Sequence, residues 1–593
     1  MDRRARRLRR ARPVIALGAA AFAVGAIVGA NHTTSMHTLA AQFTTAWAHG
    51  DYAAMYADID DGSRRTLSAS DFAAVYEEAA LTATATRLEV AGKPKDGAGG
   101  VEVVPVRVYT RLFGTLSSSF RLTVLGSGER AHVVWSRALA FPGLRAGEQL
   151  IRHTTLPARA ALLARDGSLL ASGPGLAAGQ RSSPLGAVAS ALLGTIGPTP
   201  PSRTAALESQ GVPSDAIVGL TGLERALDDR LRGTAGGELL AGTRTLASVA
   251  TRAAPAVRTT ISPVLQRAAV SALGGQFGGV VAMRPASGEI LAVAGIGLND
   301  LQPPGSTFKL VTLTGVLQAG IAHSQSTFPY QTAATLDGVL LRNAGGESCG
   351  GSLALAFAVS CNSVFAPLGA KLGAARLVAT AERFGFNRDP GIPGALQSTL
   401  PPADQIQGDL GIGSTAIGQG MVQASVLQMA TVAATIADGG RRPAPTFTPT
   451  ALAAAQASRV RVTSTDVAHA VRRMMTGVVR FGTGRAAAIP GVVVAGKTGT
   501  AELASACADS GTGAGAGTGT DSSGGAAGSG TDGSQDCPAA DDPSNTDAWF
   551  TAFAPALRPR IVVGVLLVKD GAGGDTAAPV ARQVLQAGLQ LRF

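Results

Sequence analysis

The chain has 593 residues, is 46% hydrophobic but only 4% aromatic, and carries a formal net charge of +11. Such a length exceeds one ordinary domain, and the apolar content is enough for several cores built from Ala, Val and Leu. The charge excludes a nucleic-acid protein: residues 2–12 hold seven Arg and one Asp, which leaves +5 elsewhere, and no basic patch is interleaved with aromatics.

The arginine run reads as a cytoplasmic tail (1–12), followed by Val14 to Ala30, seventeen residues without a charge. That is near the lower limit for a bilayer-spanning helix. Val28-Gly29-Ala30 also suits a signal-peptidase site, and the reading adopted is an uncleaved anchor over 13–30. In both readings the arginines keep the N-terminus inside and send the bulk of the chain outside the membrane. Four cysteines, with Cys349 near Cys361 and Cys507 near Cys537, fit that oxidising side, although spacing alone proves neither bond. No Cys-x-x-Cys or His-Glu-x-x-His spacing argues for a metal, and no cofactor is expected.

Leu39, Phe43 and Trp47 recur every fourth residue until Gly50, predicting a helix. A second follows at Tyr52, Met55, Tyr56 and Ile59, and Ser68 or Ser70 caps a third through Phe72, Val75 and Tyr76. The period then becomes two at Val101, Val103, Val108 to Leu112, Phe120 to Leu125 and Val133 to Trp135. Helices followed by an antiparallel sheet predict a small α+β domain over 35–142. Next, Arg159 to Ala171 predicts two strands around an Asp166-Gly167 turn, and 172–215, rich in Pro, Ser and Gly, predicts loop. Residues 143–254 are assigned to one domain and 255–593 to another.

That last domain opens with strands at Val257 to Ser262, Gly279 to Met283 and Gly288 to Ala294, and a helix at Pro263 to Leu273. Its centre is largely helical, as at Leu353 to Val359, Ser363 to Leu372 and Val426 to Ala437. Strands return at Val492 to Ala495, Trp549 to Ala554 and Ile561 to Lys569, and a helix around Val580, Val584 and Leu585 closes the chain. Strands at both ends with helices between them predict a sheet packed by helices. Leu503 to Thr546 consists mainly of small and acidic residues, with no Lys, Arg or aromatic, and is expected to be a disordered insertion whose base Cys507 and Cys537 tie.

Within this domain, Pro304-Gly305-Ser306-Thr307-Phe308-Lys309 starts a helix with Ser306 as N-cap. Residues three apart share a helix face, so the Ser306 hydroxyl and the Lys309 amine can meet. A neutral lysine can take a serine's proton and make it a nucleophile. The chain has only six lysines among 51 Lys+Arg, and two of them fall in one ordered pattern. After Ser306-Thr307-Phe308-Lys309 come Ser360-Cys361-Asn362 and then Lys497-Thr498-Gly499-Thr500. A competing match, Gly346-Glu347-Ser348-Cys349-Gly350, fits a nucleophile elbow, but only His469 lies downstream to serve it.

The ordered triple Ser-x-x-Lys, Ser-x-Asn, Lys-Thr-Gly resembles the signature of penicillin-binding proteins and serine β-lactamases, and the chain resembles a class B penicillin-binding protein. The resemblance implies a multidomain α+β protein: a membrane helix, a nuclear-transport-factor-like domain of the methicillin-resistance type, a pedestal or dimerisation domain, and a transpeptidase domain. Trp135 and Phe141-Pro142-Gly143-Leu144 carry the second of these. Gly219 to Arg225, with Asp228, Leu231 and Gly233, carry the third better than the degenerate box at Arg159. Implied roles follow. Ser306 is the acylated nucleophile, Lys309 its base, Ser360 a proton relay and Asn362 a holder of the substrate amide. Lys497 keeps Lys309 neutral, and Thr498, Gly499 and Thr500 receive a terminal carboxylate. The Ser306 and Thr500 N–H groups form an oxyanion hole. Cys361 points away from the pocket, where a bond to Cys349 braces the loop.

The implied function is a peptidoglycan D,D-transpeptidase of cell-wall synthesis that β-lactams inactivate, working beside a SEDS-type membrane glycosyltransferase. The alternatives are a D,D-carboxypeptidase, or a non-catalytic β-lactam sensor or divisome scaffold. No dedicated deacylating Glu is evident, which argues against a β-lactamase.

Overall fold

The computed structural model describes residues 36–126, 128–175, 179–451, 459–503 and 545–591. The expected tail, the anchor, nearly all of the 503–546 insertion and the Cys507–Cys537 pair lie outside these residues. Among the described residues no single helix is long and apolar enough to cross a membrane.

Contacts divide the chain into two compact units. One comprises residues up to Ala160 with Gly197–Val218 and Arg232–Pro255; the other comprises Ala161–Ile196, Gly219–Leu231 and Ala256 onward. The stretch 143–254 is therefore shared between the two units.

In the first unit, helices α1 (Met36–His49), α2 (Tyr52–Ala57), α3 (Asp61–Thr66) and α4 (Ala69–Thr82) precede an antiparallel sheet. Its strands are β1 (Ala85–Val90), β2 (Lys95–Asp96), β3 (Val101–Thr110), β4 (Thr115–Leu125) and β5 (His132–Val133), in the order β1-β3-β4-β5 with β2 also on β3. Ser68, not Ser70, caps α4 by accepting from Asp71 N. The helix pattern read at Tyr52 stops at Ala57, and Ile59 instead bridges to Val133. Phe43, Trp47, Phe72, Tyr76 and Phe120 fill the core between helices and sheet, with Trp47 edge-on to Phe120 at 4.9 Å. Trp135 donates to the Tyr76 hydroxyl at 3.1 Å.

The second unit contains the expected hairpin, with Leu162–Leu163 paired to Leu169–Gly175 around the Asp166 turn. The loop expected over 172–215 is partly structured. Ser190–Leu193 and, in the first unit, Pro201–Glu208 are helical. The second starts with Pro at its first position, where the missing N–H costs nothing. Glu224 is buried against Arg181 at 3.0 Å, and Asp228 accepts from Gly219 N at 2.8 Å.

The main sheet of this unit has five antiparallel strands. Its elements are α5 (Pro263–Leu273), β6 (Gly278–Met283), β7 (Ile290–Gly295), α6 (Lys309–Gln318), α7 (Leu353–Ala358), α8 (Asn362–Leu372), α9 (Val426–Ala437), β8 (Ala495–Glu502), β9 (Thr546–Ala554), β10 (Ile561–Leu567) and α10 (Ala577–Gln590). The strand order is β7-β6-β10-β9-β8, so β8 lies at an edge. Every residue of β6, β9 and β10 is buried, as a sheet covered on both faces requires. Leu265, Phe550, Val563, Val584 and Leu585 belong to one apolar core. On α9 the approach is close: a Cβ on Gly564 would lie 2.9 Å from the Val426 carbonyl.

Candidate active site

Three elements meet at one point. The first is a 3-10 turn, Gly305–Phe308, that runs into α6. Ser306 does not cap a helix, because its backbone is already inside that turn. Freed from capping, its hydroxyl lies 2.9 Å from Lys309 Nζ. Gly305 has φ +49°, and a Cβ there would stand 2.6 Å from the Thr500 carbonyl. Glycine is therefore what lets the serine turn sit against β8.

The second element is the turn between α7 and α8. Ser360 holds φ +63°, a left-handed conformation unusual for a residue with a side chain. Its carbonyl oxygen accepts from Lys309 Nζ at 2.7 Å, and its hydroxyl lies 3.3 Å from Lys309 Nζ and 2.8 Å from Lys497 Nζ. Asn362 Oδ1 accepts from Lys309 Nζ at 2.6 Å, while Asn362 Nδ2 donates to the Arg342 carbonyl at 2.9 Å. Oδ1 thus supports Lys309, and because Nδ2 carries two N–H groups, its bond to Arg342 leaves one donor for the expected grip on the substrate amide. Between them Cys361 is fully buried and bonded to Cys349, with Cα atoms 5.9 Å apart, as the outward-pointing middle residue implied.

The third element is β8 itself. The strand expected to end at Ala495 starts there and carries Lys497-Thr498-Gly499-Thr500 in its own register, paired to Thr551, Phe550, Trp549 and Ala548 of β9. Lys497 Nζ also donates to the Thr498 carbonyl at 3.0 Å. The Thr498 hydroxyl lies 2.6 Å from the Thr483 hydroxyl. Thr483 was not singled out by sequence reasoning: a lone threonine after Phe481-Gly482 carries no spacing signal, and only folding brings it there.

Both amines are fully buried. Burial, and then the charge of Lys497, push the Lys309 amine well below its ordinary range. Burial alone lowers Lys497 to about 7. The expected like-charge effect is thus present, but desolvation outweighs it. Among the described residues neither amine has a carboxylate partner; hydroxyls, carbonyls and one amide surround them. A neutral Lys309 beside the Ser306 hydroxyl can accept its proton, and the Ser360 hydroxyl connects the two amines. The competing Gly346–Gly350 match builds no elbow: Ser348 is exposed and Cys349 is in the disulfide.

The family models for the penicillin binding protein transpeptidase domain, the penicillin-binding protein dimerisation domain and the NTF2-like N-terminal transpeptidase domain match residues 278–516, 176–245 and 36–148. The peptidoglycan D,D-transpeptidase PbpA of Mycolicibacterium smegmatis is 33% identical over 441 residues, covering 62% of this chain and 80% of the relative. The chain belongs to the penicillin-binding protein transpeptidases. The same-named protein of Mycobacterium tuberculosis is 32% identical over 435 residues, with 62% of this chain and 80% of that one covered. The ceftriaxone acyl-enzyme complex of M. tuberculosis penicillin-binding protein A superposes with a TM-score of 0.53 at 28% identity, covering 73% of this chain and 98% of that one. Family membership accounts for the multidomain α+β architecture: an NTF2-like domain, a dimerisation domain and a transpeptidase domain.

Proposed function

We propose that this chain is a serine-type peptidoglycan D,D-transpeptidase whose Ser306 forms the acyl-enzyme and is trapped by β-lactams. The observation that carries this is the desolvated Lys309 amine, held within hydrogen-bonding reach of Ser306, Ser360 and Asn362 with no carboxylate among the described residues to keep it charged.

In the proposed reaction the Ser306 oxygen attacks the carbonyl of the penultimate D-Ala of a stem peptide, and its proton passes to Lys309 Nζ. The N–H groups of Ser306 and Thr500 would hold the oxyanion; losing one such donor costs roughly 100-fold or more. As the tetrahedral centre collapses, the proton moves through the Ser360 hydroxyl to the departing amine of the terminal D-Ala. Lys497, Thr498, Gly499 and Thr500 receive the terminal carboxylate, whose charge favours protonated Lys497. An acceptor amine then attacks the ester, returns its proton along the same groups and releases Ser306. Asn362 holds the Lys309 amine in place throughout.

We further propose that residues 13–30 anchor the chain, that the catalytic part lies outside the cytoplasmic membrane, and that a SEDS-type glycosyltransferase supplies the glycan strand. The Arg-flanked apolar run and the Cys349–Cys361 disulfide support that side of the membrane.

The test is covalent labelling by a fluorescent penicillin, which is expected for the parent chain and absent for Ser306→Ala. Labelling that survives in Ser306→Ala would place the nucleophile elsewhere. Product analysis with a stem peptide, with and without an amine acceptor, then separates transpeptidation from hydrolysis.

A further inference from the structure

Far along the chain from the serine, β3 of the N-terminal sheet breaks its own pattern. Val104, Val106 and Val108 point into the core, and the next core-facing position is Glu102, only 4% exposed. Its Oε2 is buried with no hydrogen-bond partner. A buried carboxylate oxygen without a partner has lost its hydration with nothing in exchange, which is costly. The residue paired directly across the ladder makes matters worse, because Asp96 of β2 sits opposite Glu102. Like charges in directly opposed positions repel, and nothing in the strand register relieves them.

The third group comes from the first turn of α1. His37 Nε2 lies 3.6 Å from Asp96 Oδ1 and 3.6 Å from Glu102 Oε2. All three donor atoms lie within 4.8 Å of one another. A separation of 3.6 Å is too long for a hydrogen bond, whose N–H···O range is about 2.7–3.2 Å. It is close to the edge of a tetrahedron of ligands each about 2.0–2.2 Å from a zinc ion, roughly 3.4 Å. One imidazole and two carboxylates also suit that metal, and a cation at their centre removes both the repulsion and the orphaned oxygen.

We propose that His37, Asp96 and Glu102 bind a divalent transition-metal ion of the zinc class, with water in the fourth position. The ion would staple the start of α1 to the β2–β3 hairpin, fixing the point where the chain enters the N-terminal domain. No ligand spacing in the sequence announces it, because His37 and Glu102 stand far apart and meet only through the sheet.

The test uses the full-length chain in detergent, stripped with a chelator and titrated with zinc against a chromophoric competitor. One equivalent is expected to bind, and Glu102→Gln, His37→Gln and Asp96→Asn should each weaken it by about tenfold or more. Cobalt in place of zinc should give the visible absorption of a four-coordinate site in the parent and lose it in Glu102→Gln. Near-ultraviolet circular dichroism of the Trp47, Tyr76 and Trp135 core reports that the N-terminal domain of each variant is folded. If no stoichiometric zinc binds, or if the three variants bind it as the parent does, the proposal is overturned and the cluster is only an imidazole between two carboxylates.

Discussion

Two places in the C-terminal unit bury cations, and the chemistry of each side chain decides the outcome. Arg181 is wholly buried but lies 3.0 Å from the equally buried Glu224. Its guanidinium cannot shed its proton, so it needs a carboxylate in the interior. Lys309 and Lys497 are as deeply buried, yet their neighbours are neutral oxygens, and their affinity for protons falls. Where charge is structural it is matched; where it must come and go, the match is withheld. The difference between a scaffold and a proton-transfer site is thus the absence of one carboxylate.

The sharpest way to break the comparison is to make the site cation permanent. Lys309→Arg keeps a positive group but not a base, and penicillin acylation should fall by about 1000-fold. An acylation rate within tenfold of the parent would show that no neutral amine is needed there.

The converse experiment unmatches the scaffold pair. Glu224→Gln should cost about 3–5 kcal/mol in chemical denaturation, because it removes the carboxylate charge 3.0 Å from the buried Arg181 guanidinium. Replacing both residues with apolar ones should recover much of that loss. An additive double variant would show that the pair is not coupled.

Opening the Cys349–Cys361 bond sharpens the comparison by loosening one wall of the amine pocket. Cys349→Ser with Cys361→Ser should lose about 2–3 kcal/mol of stability, as expected for a closed loop of this size. Acylation should slow with it, because Ser360 and Asn362 flank Cys361.

Protonation gives a subtler measure. Lys497 titrates at about 7 in the folded chain and at about 10.5 when unfolded. Between these values the unfolded chain binds more protons, so this group makes stability rise with pH across that window. Lys309, also lowered, contributes with the same sign. Lys497→Met should flatten the slope in a denaturation series from pH 7 to 10, and an unchanged slope would contradict the buried-amine account. The smallest effect is expected from Thr483→Val, which removes one hydroxyl beside Thr498 and should raise the KM for peptide a few-fold, about 1 kcal/mol.

What could be read from the sequence follows the range of the forces involved. Pro263–Leu273 and Val426–Ala437 were legible to their end residues, because a local cap and a local period set them. Ser306, Lys309, Ser360 and Lys497 were legible because their chemistry restricts residue type. The 3-10 turn at Ser306 was not, since it is imposed by contact with Thr500 from a distant strand. The alternation of β1 is only Arg87-Leu88-Glu89-Val90, too short to stand out, and Pro-rich composition hid the helix at Pro201–Glu208. The second partner of the Asn362 amide, the Arg342 carbonyl, was not legible because it comes from another segment.

The backbone at Ser360 has one last consequence. Its positive φ is a shape that glycine adopts freely and serine adopts at a cost of about 1 kcal/mol. Ser360→Gly would therefore ease the main chain while deleting the hydroxyl between the two amines. A screen for heat tolerance alone would favour that replacement, and a screen for growth of the wall would reject it.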